Sequence, residues 1–177
     1  MSKNTFTVRR ITTDAVLVAL YVVFAAVFAV KLPFAEISLA SIPILMCALL
    51  FGIGDVLIVS ILGSFIEQML GGFGLTVTTP LWMAPVILQG AVAALLFFIF
   101  KKDKIWKIVF AIVCAELLLT VTNTAVLYLD GAIMHYPVKA LHAIAPTRLI
   151  NGLLRTVASS ITLSLLYRPL QRLVRRQ

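Results

Sequence analysis

Residues 81–104 read LWMAPVILQGAVAALLFFIF and then KKDK. The first of these segments carries no charge, and the second is charged throughout. A bilayer core is crossed by ~20 apolar residues in a helix rising about 1.5 Å per residue. The stretch therefore predicts a membrane-spanning helix over 81–100 that ends at a solvated turn. Pro85 inside it predicts a kink.

The same reading extends in both directions. Apolar runs over 11–30, 42–51, 56–70, 106–129 and 146–167 flank that helix, giving six predicted spans. The second is short, and the sixth has Pro146 placed for a helix start. Loops of 31–41 and 130–145 are expected, as is a charge-free glycine- and threonine-rich loop over 71–80. The composition agrees. The chain is 62% hydrophobic, with a mean hydropathy of +1.08 and 12% charged residues. A soluble domain carries about 25% charged residues. The 177 residues suffice for six spans and short loops, so a single all-α transmembrane domain over 1–177 is expected. No cleavable leader is expected, because the first apolar run is full length and has no cleavage site.

The charges orient the bundle. Lys3, Arg9, Arg10, Lys101, Lys102, Lys104, Lys107, Arg168, Arg172, Arg175 and Arg176 fall on the side of the termini. Lys31 and Lys139 fall on the other, and Arg148 and Arg155 lie in or at the mouth of the sixth span. The positive-inside rule then puts both termini in the cytoplasm. The net charge of +8 clusters at the ends of apolar runs, which is a topology signal and argues against nucleic acid as a partner.

Ionisable groups at membrane depth are functional candidates, because burying them there is costly. Glu116, Thr120 and Asn123 share a face of the fifth span, and Arg148, Asn151 and Arg155 share a face of the sixth. These helices run antiparallel, so a polar seam opening outward is expected between them. Glu116 and Arg155 fall near mid-membrane, where a structural ion pair is the cheapest arrangement. Arg148 lies farther out. It either binds a carboxylate ligand or anchors a loop, with Asp130 as a candidate partner. Trp82 is either an interfacial aromatic or a ring that stacks on a planar ligand. Glu67, Thr79, Asn123, Tyr128 and Asn151 complete the candidate binding set; Thr76, Thr78 and Thr79 read equally as loop polars. Ala15 and Ala19 give the first span a small-residue face, for internal packing or for a partner helix.

Other chemistries find no support. Cys47 and Cys114 sit in apolar runs, and His135 and His142 have no third ligand nearby, so no metal or cofactor is expected. Phosphate-loop, HExxH and GxSxG motifs are absent, so neither ATP hydrolysis nor enzymatic chemistry is expected.

Taken in order along the chain, these features resemble the substrate-binding S component of an energy-coupling factor (ECF) vitamin transporter. The segment Arg10–Leu20 looks like the family's basic-then-alanine first helix, with its Ala-xxx-Ala docking motif at Ala15 and Ala19. Ile42-Pro43-Ile44 through Leu50-Phe51-Gly52 looks like its second span. Asn123-Thr124 with Tyr128, and then Arg148-Leu149-Ile150, are similar to the folate branch; Ala125-Val126 stands where that branch has a tryptophan. The resemblance implies a multi-pass protein of a bacterial cell membrane. It implies high-affinity binding of a vitamin from outside, folate first and pantothenate or another B vitamin next. It also implies a transmembrane coupling subunit and two ATPase subunits as partners, with toppling in the bilayer to release the cargo. The first and third loops would be lids, with Gly71, Gly72 and Gly74 as their pivots. The residues alone leave two other readings open: a self-sufficient ion-coupled transporter or channel with Glu116 titrating, and a membrane scaffold without a small ligand.

Overall fold

The computed structural model describes residues 8–27, 29–32, 35–70, 74–100 and 104–175. Gly71 and Gly72 lie outside them. Six helices follow one another: α1 (Val8–Ala26), α2 (Ser41–Leu50), α3 (Ile53–Leu70), α4 (Thr79–Ile99), α5 (Ile105–Ile133) and α6 (Val138–Arg175). A short antiparallel hairpin, β1 (Val30–Leu32) with β2 (Ala35–Ile37), joins α1 to α2 with Val30 opposite Ile37. The fold is otherwise helical among the described residues.

Four segments are long and apolar enough to cross a bilayer: Ile53–Leu70, Thr79–Ile99, Ile105–Ile133 and Ile144–Tyr167. Their outward faces are greasy. Phe98, Val121 and Leu165, one on each of three of these segments, are 81%, 63% and 72% exposed. Such surfaces are at home in lipid, which is as apolar as they are. The buried residues form the opposite faces.

α2 is the exception. Eight of its ten residues are buried, from Ser41 to Leu49. At about 1.5 Å per residue it covers about 15 Å, half a hydrocarbon core. It sits against α1, α3, α4 and α6 as the central strut of the bundle. Ile44, Leu45 and Cys47 are fully enclosed, and they join Val56, Val59, Ala93, Phe97, Ala111 and Leu163 in one core. Gly90 lets α4 approach α3: a Cβ there would come within 2.6 Å of Ser60 Oγ and Val56 Cγ1.

The helix bounds correct the sequence reading in three places. α1 stops at Ala26, so Val30 belongs to the hairpin and not to the first span. α5 runs one turn past Leu129, to Ile133. It ends where Tyr136 N–H donates to Gly131 O at 2.8 Å, with His135 in the left-handed region at φ 57°. This is the turn that closes many helices, with a histidine where glycine is usual. Third, α6 starts at Val138, so Pro146 lies inside the helix and not at its start. A proline inside a helix removes one backbone donor and crowds the carbonyl four residues back, at a cost of about 3 kcal/mol that the packing of α6 on α5 must offset. The good helix formers of 138–145 carry the helix through it.

At the end of the bundle where α2 meets α3, Arg10 clamps Asp55 with two bonds, of 2.7 and 2.5 Å. Asp55 is fully buried, so this pair ties α1 to α3.

Candidate functional site

The seam between α5 and α6 is built from polar groups in register. Deepest, Arg155 Nε donates to Glu116 Oε2 at 2.8 Å, and Ser159 Oγ donates to Glu116 Oε1 at 3.0 Å. Glu116 is wholly buried. Both its oxygens are therefore satisfied, which is what keeps a carboxylate tolerable at this depth. Thr120 Oγ1 donates to the Glu116 carbonyl at 2.9 Å and accepts from Arg155 Nη2 at 3.4 Å. Gly152 faces Thr120 so closely that a Cβ there would sit 2.4 Å from its Oγ1. Gly152→Val is expected to push α6 off α5, costing about 1–3 kcal/mol in unfolding measured in detergent.

One layer outward, Arg148 Nη1 donates to the Asn123 carbonyl at 3.2 Å. The Arg148 guanidinium lies over the Trp82 ring, 5.4 Å from its centroid. The geometry suits a cation–π contact. The structure thus brings Trp82 of α4, Asn123 of α5 and Arg148 of α6 into one place. Arg148 meets no carboxylate among the described residues; it does not pair with Asp130. Asn151 lies one turn deeper on α6, half-buried, and among the described residues neither its side chain nor that of Asn123 makes a hydrogen bond. This layer holds a guanidinium, a backbone carbonyl and an indole face, with the amide of Asn151 one turn deeper on α6. Chemically it can receive a flat ligand that carries an acid.

The remaining candidates fall around this layer. Ser60 packs at Gly90, and Glu67 lies seven residues outward from Ser60, which brings it level with Trp82. Tyr21 of α1 donates its hydroxyl to Glu67 Oε2, a contact absent from the sequence reading. Thr79 is buried, and its Oγ1 accepts from Thr76 N–H at 2.8 Å, closing the turn into α4. Tyr128 sits near the end of the seam where α5 passes into α6, its hydroxyl 3.2 Å from His142 Nδ1. Ala15 and Ala19 lie on the exposed face of α1, with Ile11 and Val16 more than half exposed beside them.

One buried polar group escaped the sequence reading. Among the described residues Gln89, 1% exposed, has no partner for either amide atom, and Asp130, expected in a loop as a partner for Arg148, has none for Oδ1. Spacing could have found the first. Gln89 is seven residues from Trp82, as Asp130 is from Asn123. An apolar cavity of about 440 Å³, lined by Phe51, Gly52, Phe97 and Phe98 among others, lies at the opposite end of the bundle from these groups.

The family model described as "ECF transporter, substrate-specific component" matches residues 9–167. The chain belongs to that family. It is accordingly the substrate-binding subunit of an ECF transporter, an integral membrane transport protein and not an enzyme. A solved structure titled "Structure and mechanism of the S component of a bacterial ECF transporter" has the same fold. It is 20% identical, with a TM-score of 0.65, and the match covers 94% of this chain and 97% of that one. No curated protein matches the sequence.

Proposed function

We propose that this S component binds a water-soluble vitamin from the outer face. Folate is the first candidate, and pantothenate or another B vitamin the next. The observation that carries the reading is Arg148: a half-buried guanidinium with no carboxylate against it among the described residues, laid over the face of Trp82. A cation held in that state is prepared for an anionic group, and the ring beneath it for a planar one. The unpaired amides of Asn123 and Asn151 supply further donors and acceptors. Glu67, Thr79 and Tyr128 border the same site.

In this reading the chain crosses the bacterial plasma membrane six times, with α1 and α2 completing the four long spans and both termini in the cytoplasm. The uneven distribution of Lys and Arg supports that orientation. Transport then requires a transmembrane coupling subunit and two ATPase subunits, since the chain carries no phosphate loop. The outward face at Ala15 and Ala19 is the docking surface for the coupling subunit.

The test is calorimetric titration of the purified chain with B vitamins and their precursors. One compound should bind in the nanomolar range. Arg148→Ala should weaken it by about 100-fold, or about 2.7 kcal/mol, within the range for removing one partner of a desolvated charged contact. If no compound binds to folded protein, or if Arg148→Ala leaves the affinity intact, the reading is wrong.

A further inference from the structure

Asp130 is buried, at 7% exposure, in the last turn of α5. Its Oδ1 is enclosed without a partner, and among the described residues no lysine, arginine or histidine meets its carboxylate. The setting is unfavourable for an anion twice over. Burial removes water, and the C-terminal end of a helix already carries partial negative charge. Nothing local explains the group. Its position does: Glu116, Asn123 and Asp130 recur every seven residues and so share the face of α5 that meets α6. Beside it, a Cβ on Gly131 would strike Leu141 of α6 at 2.6 Å, so the two helices are still in contact at this level. Asp130 therefore stands at the outer mouth of the same seam, about 10 Å above the Asn123–Arg148 layer by helical rise.

Among the described residues the seam thus holds one cation and one carboxylate with no opposite charge against them, two turns apart. Two such groups with only a structural role would lower their energy by pairing, and here they do not. We infer that Asp130 is a second charged contact of the cargo site, and that the cargo is dipolar. It carries an acid group for Arg148 and a basic or N–H-bearing group for Asp130, about 10 Å apart, with a flat middle against Trp82. This deepens the reading of Arg148 as an anion contact and rests on it.

Two flat synthetic probes separate the two ideas. One is an aminomethyl-naphthoate, with ammonium and acid at opposite ends of a planar fused ring. The other is its methyl analogue, with the acid alone. Binding is read from Trp82 fluorescence in a Trp106→Phe background, which leaves a single tryptophan. The dipolar probe should bind about tenfold tighter or more than the methyl analogue. Asp130→Asn should erase that preference and leave the affinity for the methyl analogue unchanged. Equal binding of both probes, or a preference that survives Asp130→Asn, overturns the role of Asp130 and leaves the Arg148 site standing. Binding of neither probe by folded protein overturns both. Thermal unfolding supplies the control. Removing an unpaired buried charge should leave the Tm unchanged or raise it, whereas a fall would assign Asp130 a structural partner and sink the inference.

Discussion

Glu116→Ala is expected to destabilise the bundle by about 3–5 kcal/mol, because it strands a buried guanidinium. Arg155 Nε spends its bond on Glu116 Oε2 at 2.8 Å, and the Arg155 side chain is only 18% exposed. With the carboxylate gone, only the 3.4 Å contact to Thr120 Oγ1 remains, and Ser159 loses its acceptor as well. The double variant Glu116→Met with Arg155→Met should recover most of the loss, since it removes both charges and keeps the volume. Chemical unfolding in detergent checks both. The same residue separates this protein from an ion-coupled carrier. If the chain alone in liposomes drove uptake that Glu116→Gln abolished, Glu116 would be a titrating group. Conserved binding and stability loss without any such flux would mark it as a strut.

The second large effect belongs to α1. Ala15→Trp combined with Ala19→Trp should abolish vitamin uptake in the assembled transporter while leaving binding by the isolated chain within about twofold, well inside one factor of ten per 1.4 kcal/mol. Both alanines lie on the outward face of the helix, away from Asp14, Leu17, Val18 and Tyr21, which face the bundle. New indoles there meet lipid in the free subunit and cost the fold little. They would, however, hold a partner helix away from a face that small residues keep open. Uptake measured in vesicles carrying the whole transporter, beside titration of the subunit, checks it. Normal uptake would place the docking face elsewhere.

Much of the molecule was legible in the sequence because lipid imposes a simple rule. A helix must bring its own backbone hydrogen bonds and an apolar surface long enough for the bilayer. That rule is local, so the stretches behind α3, α4 and α5 could be read residue by residue. Heptad spacing likewise put Glu116 and Asn123 on one face, and Arg148 and Arg155 on another, before any packing was known.

Other features depend on groups far apart in the chain. No pattern within α2 says that its ten residues become the central strut; its neighbours on four other helices decide that. Tyr21 reaches Glu67, and Arg10 reaches Asp55, across 46 and 45 residues of sequence. Asp130 looked like a loop residue only because α5 was expected to end at Leu129. The sequence by itself determined that this is a lipid-embedded helical protein with charged groups at depth, because hydropathy and periodicity are properties of single segments. Glu116 with Arg155 was already the expected pair; only the tertiary structure decided that Arg148 and Asp130, the other candidate pair, are each left without an opposite charge among the described residues. Pairing depends on the register between helices, and register is set by close contacts such as Gly152 on Thr120.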